Sequence, residues 1–186
     1  MPISEFRKKK LLFVFKVFFD VNQSGTIDQK DFELAVDNIC RMRGWAQGDA
    51  NYQKTRNTLL KIWDGLKTCA DSDKDGQISH DEWCTMWDDY SKKPDSALEW
   101  QQVYMNFMFD LEDASGDGSI DEDEFTLVCS SYGLSKDECG KAFKKFSSNG
   151  SVEVTRKVFA DLWREYFSTD NPNAPGNFIF GKVNFD

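Results

Sequence analysis

Asp71-Ser72-Asp73-Lys74-Asp75-Gly76-Gln77-Ile78-Ser79-His80-Asp81-Glu82 places side-chain oxygens at positions 1, 3, 5 and 12 of a twelve-residue segment, around a glycine at position 6. Oxygens at those offsets, a sharp turn at the sixth residue and a carboxylate at the twelfth suit a hard divalent cation, Ca²⁺ foremost. Two further segments repeat the spacing: Asp20 to Asp31 (DVNQSGTIDQKD) and Asp113 to Glu124 (DASGDGSIDEDE). One such match could be chance; three in register are not. The candidate metal ligands are Asp20, Asn22, Ser24, Thr26, Asp28 and Asp31 in the first loop. In the second they are Asp71, Asp73, Asp75, Gln77, Ser79 and Glu82, and in the third Asp113, Ser115, Asp117, Ser119, Asp121 and Glu124.

An aromatic residue follows position 12 of each loop, and apolar residues then recur at offsets 0, 3, 4 and 7. The sets are Phe32/Ala35/Val36/Ile39, Trp83/Met86/Trp87/Tyr90 and Phe125/Val128/Cys129/Tyr132, each one face of a helix leaving its loop. A fourth set, Phe159/Leu162/Trp163/Tyr166, has the same offsets with no obvious ligand loop before it. Counting back puts a fourth loop at 147–158, with Val154 at position 8, where the others carry Ile27, Ile78 and Ile120. Its positions 1, 3, 5, 6 and 12 are Ser147, Asn149, Ser151, Val152 and Val158. Without a carboxylate at either end it cannot offset the dehydration of a divalent ion. The repeat rests on apolar positions alone, so an ordinary interhelical loop at 147–158 stays open as an alternative; neither reading binds metal.

The expected fold is all-α: four helix-loop-helix units in two pairs, compact, with very short β pairing between the position-8 residues. The S-x-x-E spacings Ser79–Glu82, Ser96–Glu99 and Ser135–Glu138 mark helix starts. The polar stretch Ser91-Lys92-Lys93-Pro94-Asp95 is the best boundary between halves. The predicted organisation is residues 1–93 for the first pair, 94–170 for the second, and 171–186 as a tail packed on the helical body. Loop starts 51 residues apart in the first half, against 42 and 34 later, leave 42–56 as a loop leading into the helix before Asp71.

A chain of 186 residues, 40% hydrophobic and 15% aromatic, can bury a sizeable core. Its net charge of -9 repels nucleic acid and, without bound cation, anionic membrane. The loops hold eleven candidate ligand carboxylates, and three Ca²⁺ would bring the net charge from -9 to about -3. Five cysteines (Cys40, Cys69, Cys84, Cys129 and Cys139) with no paired spacing read as reduced, mostly buried thiols. Lys16 interrupts the apolar run after the basic segment Arg7 to Lys10, so a secretory signal is not expected, and Pro2 excludes N-myristoylation. The expected location is cytoplasmic, and the chain is expected to be a monomer. Arg7 to Lys10 is expected to be a solvated helix end, with a calcium-dependent membrane or partner contact as the alternative. Phe178-Ile179-Phe180 is expected to dock on the core, since three exposed apolar residues would be a liability.

Catalysis is not expected. The single histidine, His80, sits at loop position 10 with its side chain expected in solvent, and it supports no Ser-His-Asp or Cys-His arrangement. A nucleotide-hydrolysing enzyme is the reading of another class, but no GxxxxGK[ST] segment is present.

These residues resemble those of EF-hand proteins. The whole-chain arrangement is similar to the sarcoplasmic calcium-binding protein superfamily and its calexcitin branch. The likeness rests on four hands with the fourth inactive, the wide first interval, the aromatic helices and the ending Asp170-Asn171-Pro172-Asn173-Ala174-Pro175-Gly176-Asn177-Phe178-Ile179-Phe180-Gly181. The resemblance implies a cytosolic calcium binder and, on the calexcitin side, a signalling role in neurons acting on membrane excitability, with a calcium-dependent protein target. The sarcoplasmic side implies a Ca²⁺/Mg²⁺ buffer instead. Five Met against 16 Phe and 6 Trp favour a firmly packed interior over a methionine-rich sensor groove. Asp31, where the other two loops have Glu, is one methylene shorter, which leans the first site toward the six-coordinate geometry of Mg²⁺.

Overall fold

The computed structural model describes residues 3–93 and 98–185. The expected boundary at Pro94 and the helix start at Ser96 lie outside the described residues. Among the described residues eight α-helices carry the apolar faces: α1 Glu5–Val14, α2 Gln29–Arg43, α3 Ala50–Ala70, α4 His80–Lys92, α5 Glu99–Glu112, α6 Glu122–Ser131, α7 Lys136–Phe146 and α8 Arg156–Ser168. A π-helical turn, Phe15–Phe19, continues α1, closed by the Asp20 N–H donating to Phe15 O at 2.7 Å. The four expected offsets of each exit helix face inward, and Trp83, Trp87, Phe125, Val128 and Tyr166 are fully buried.

Position 8 of each loop does what its β-branched side chain favours. Ile27 and Ile78 exchange backbone hydrogen bonds of 3.0 and 2.8 Å. β1 (Ser119–Ile120) pairs antiparallel with β2 (Val154–Thr155), Ile120 opposite Val154. The 147–158 segment therefore holds the register read from apolar spacing, and α8 starts one residue after a Thr155 cap, as α4 does after Ser79.

Aromatic contacts knit both pairs into one core. Trp87 of α4 stacks on Phe167 of α8 at 3.7 Å between ring centroids and 11° between planes. Phe19, from the π-turn, lies 4.8 Å from both Trp83 and Tyr104. The Trp83 indole N–H, which burial obliges to find a partner, donates to Leu11 O at 2.8 Å.

Several local expectations are corrected. The 42–56 stretch is mostly helix. Gly44 ends α2 in the left-handed region, and α3 begins at Ala50, so only a short connection remains. Its cap is Asp49, whose carboxylate accepts from the Ala46 N–H in the preceding turn rather than from the helix, so no capping signal marks the start. α5 begins at Glu99 behind Leu98, with the Gln101 side chain accepting from the Leu98 N–H at 3.0 Å. Ser135 caps α7, yet Glu138 does not close the box; its carboxylate accepts from the Val183 N–H in the tail.

The basic segment is not a solvated end. Lys8 and Lys9 are exposed, whereas Arg7 is buried against Asp88 at 3.0 Å and Lys10 is fully buried. The Lys10 ammonium donates to Tyr166 O at 2.8 Å, Thr169 O at 2.9 Å and Asn177 Oδ1 at 2.8 Å. Its three protons thus meet the last turn of α8 and the tail at once. The tail turns through Asn171–Gly176 into a short 3₁₀ helix, Pro175–Phe178. Gly176 lies where a Cβ would come within 2.5 Å of Leu162 O, so only glycine permits this seating. Phe178, Ile179 and Phe180 are buried, as expected, and the Phe180 ring sits 4.7 Å from Tyr166 and 5.0 Å from Phe18.

Lys10→Met should leave three acceptors without their donor, two of them buried, at about 1–3 kcal/mol for each buried one left unsatisfied. A net destabilisation of about 2 kcal/mol or more is expected in chemical denaturation. Burial, followed by the charge of Arg7, pushes the Lys10 pKa down to about 7 against the opposing pull of Asp170 and Glu165. Between pH 7 and the ordinary lysine value of 10.5 the unfolded chain then holds the extra proton. This group's contribution therefore makes stability rise with pH in that window. The slope of stability against pH from about 7 to 8.5 should be less positive in Lys10→Met than in the parent chain.

Candidate metal centres

Each intact loop is built from the same backbone economy. At position 4 the chain takes positive φ (Gln23 at 56°, Lys74 at 60°, Gly116 at 72°), and at position 6 it does so again in glycine (Gly25 at 93°, Gly76 at 81°, Gly118 at 89°). A side chain at position 6 would be strained, which is why glycine recurs there. The position-6 N–H groups of Gly25, Gly76 and Gly118 donate to the position-1 carboxylates of Asp20, Asp71 and Asp113 at 2.9, 3.0 and 3.0 Å. That bond folds the loop back on its first ligand.

Position 12 closes the ring from the other side. One oxygen of Asp31, Glu82 and Glu124 accepts from the N–H of Asn22, Ser72 and Ser115 at 3.1, 2.7 and 2.9 Å. The second accepts from the N–H of position 9 (Asp28, Ser79 and Asp121) at 2.9, 3.0 and 3.1 Å. Position 9 in turn caps the exit helix, so each loop ends in a reciprocal capping box. Asp28, Ser79 and Asp121 are thus drawn toward the helix N-terminus as caps, while the carboxylates of positions 1 and 12 come together in the second and third loops.

Two groups of three carboxylates come within 4.8 Å of one another among the described residues: Asp71, Asp73 and Glu82, and Asp113, Asp117 and Glu124. Crowding like charges this closely is costly unless a cation sits among them. In the first loop neutral oxygens of Asn22 and Ser24 take the place of carboxylates, and the Ser24 N–H donates to Asp20 Oδ1 at 3.0 Å and Asn22 Oδ1 at 3.2 Å. Asp75 and Gln77 sit on the exposed rim of the second loop, with the Gln77 N–H donating to Asp75 Oδ1 at 2.9 Å. Thr26 and Ser119 stand at position 7, the place where such loops offer a backbone carbonyl.

The position-12 groups differ electrostatically. Asp31 is fully buried, and that burial raises its pKa in spite of the N–H groups it accepts. For Glu82, burial acts upward but the donors from Ser79 and Ser72 outweigh it and hold the carboxyl low.

The 147–158 loop takes another path, with positive φ at Ser148, Asn149 and Gly150, its positions 2 to 4, and none at Val152 in position 6. Ser147, fully buried, accepts from the Gly150 N–H at 3.1 Å, so its hydroxyl closes a local turn. His80, expected in solvent, is half-buried with its ring edge-on to Phe15 at 4.5 Å. It serves as a packing residue where α4 meets the π-turn. Cys40, Cys84, Cys129 and Cys139 are buried free thiols and Cys69 is exposed, in keeping with the reduced reading. No helix among the described residues is long and apolar enough to cross a membrane.

The sequence pattern of the EF hand family matches residues 68–87, the second loop and its flanks. Calexcitin-1 of Caenorhabditis elegans is 35% identical over 98% of this chain and 90% of its own length. Sarcoplasmic calcium-binding proteins I, III and IV of Branchiostoma lanceolatum are 27% identical over 97% of this chain and 98% of theirs. A solved structure of a sarcoplasmic calcium-binding protein from amphioxus superposes with a TM-score of 0.80 at 28% identity, covering 97% of this chain and 99% of that one. Full-length likeness, three intact loops and one altered loop together place the chain in the calexcitin and sarcoplasmic calcium-binding protein family of EF-hand proteins.

Proposed function

We propose that the protein is an intracellular calcium-dependent signal protein of the calexcitin kind that binds three Ca²⁺, one in each of the loops 20–31, 71–82 and 113–124. The observation that carries this reading is the shared hydrogen-bond scheme, in which position 1 of all three loops accepts the position-6 N–H and position 12 accepts the position-9 N–H, leaving lone pairs for a cation. Positions 1, 3, 5 and 12 supply side-chain oxygens and position 7 its carbonyl, while position 9 acts as cap and as ligand, directly or through water. Mg²⁺ competes at the first site, where the aspartate at position 12 is short and buried. The division at residue 93 makes each pair a unit, and the protein acts as a cytoplasmic monomer without catalytic activity.

Sensor action requires a surface that calcium uncovers. The docked tail supplies one: Phe178, Ile179 and Phe180 fill the space beside α7 and α8 that a target segment would otherwise take. A second reading, cytosolic buffering of Ca²⁺ and Mg²⁺, is favoured by how thoroughly that tail is held, through Lys10, Glu138 and Glu165. The two readings differ in whether calcium releases it.

Titration calorimetry should give three Ca²⁺ per chain, and Glu82→Gln and Glu124→Gln should each abolish one site, because an amide supplies no charged bidentate pair. A count of two or four in the parent chain refutes the loop assignment. Millimolar Mg²⁺ should weaken calcium binding at loop 20–31 far more than at loop 71–82, and Asp31→Glu should reduce that competition; equal competition at all sites removes the side-chain-length argument. Deleting residues 177–186 should raise hydrophobic-dye binding in the calcium-loaded state. If calcium alone raises dye binding to the same level in the full chain, the protein is a sensor; if the full chain stays dark, it is a buffer.

A further inference from the structure

α2, α3 and α5 do not close completely on one another. Between them lies a cleft of about 460 Å³, within the range of about 300–1,000 Å³ typical of small-molecule sites. Its floor is apolar, made by Ile39, Trp45, Val103, Phe107 and Leu111. Arg43 from the last turn of α2 and Lys54 from the second turn of α3 also line it. Arg43 donates one N–H to Leu111 O and feels the charge of Glu124, but no carboxylate comes within ion-pair distance of it or of Lys54 among the described residues. The acidic groups at the cleft are engaged elsewhere. Asp110 is held by Arg156 at 2.5 Å, and the Asp113 carboxylate accepts from Gly118 in its own loop at 3.0 Å.

Two cations without a salt bridge at one apolar cleft stand out on a chain of net charge -9. We propose that this cleft is a binding site for a small amphipathic carboxylate, whose apolar body lies against Ile39, Val103 and Phe107 and whose charged end lies between Arg43 and Lys54. The guanidinium offers the fork geometry that a carboxylate accepts, with its remaining N–H groups uncommitted. Asp110 and Asp113 also line the cleft, so a single negative charge fits it better than the two charges of a phosphate monoester. The concavity suits a free molecule rather than a bilayer surface. None of the lining residues belongs to the tail or to its seat, so this site is independent of the tail release considered above.

The test is calorimetric titration of dodecanoate, below its micelle concentration, into the full chain, once with calcium and once with EDTA so that the outcome does not hinge on the metal reading. One molecule per chain is expected in at least one condition. Thr58→Trp, which fills the cleft, should weaken binding at least tenfold; Lys54→Met should weaken it about fivefold and Lys54→Arg should restore it. Lys54 is exposed, so its variants carry the test even if Thr58→Trp fails to fold. Absence of binding, several equal weak sites, or affinity unchanged in both Thr58→Trp and Lys54→Met overturns the proposal. So does a dimer in sedimentation that Thr58→Trp dissociates, since a second copy would then occupy the cleft.

Discussion

A single carboxylate at the twelfth loop position fixes the geometry on which each candidate site depends. Its two oxygens reach in opposite directions, one to the start of the loop and one to the residue that caps the exit helix. The loop thereby becomes a closed ring whose far side is the first turn of a helix. Anything that pulls on that carboxylate pulls on the helix, and through Phe32, Trp83 or Phe125 just beyond it, on the core. The valine at position 158 offers no such handle. The fourth unit keeps its hydrophobic register and its cap while losing the ring, which separates the packing role of the repeat from its chemical one.

The second organising device is the junction of the two chain ends. Lys10 reaches the carbonyls that α8 leaves unsatisfied at its end, a favourable place for a cation beside the negative pole of the helix. The same ammonium holds Asn177, and Tyr166 returns a hydrogen bond to Lys10 O at 2.8 Å. The Phe185 ring lies 5.7 Å from Phe13 and 6.2 Å from both Phe6 and Tyr166. The helix that leads into the first loop is thus gripped by the last residues of the chain, so tail position and first-loop geometry share a common element.

Much of this was legible in the residues because the determinants are local or periodic. Loop spacing named the carboxylates that gather in the second and third loops, offsets of 0, 3, 4 and 7 named the buried faces, and counting back from Phe159 placed Val154 opposite Ile120. What escaped was non-local. Nothing in a run of four basic residues distinguishes Lys10 from Lys8 and Lys9, because its partners lie more than 150 positions away. The start of α3 was hidden for a different reason: Asp49 spends its carboxylate on the turn before the helix, leaving no capping signature. Glu138 looked like the closing half of a capping box but serves the tail. The cleft depends on how α2, α3 and α5 meet, which no single helix encodes.

The two inter-loop bridges are chemically unequal. Ile27 and Ile78 join a pair of loops that both carry candidate ligands, whereas Ile120 is joined to a loop with no carboxylate at its first or last position. Backbone hydrogen bonds are stiff, so displacement of either loop in the first pair is felt by the other. The third loop leans on a partner that offers no end carboxylate to a cation. With every candidate site in use, the molecule would combine two kinds of response in one chain: a linked pair whose occupancy climbs steeply over a narrow range of free calcium, and a solitary site that fills gradually. On that footing a fourth loop without ligands would have a meaning beyond subtraction, because the third would fill free of cooperation.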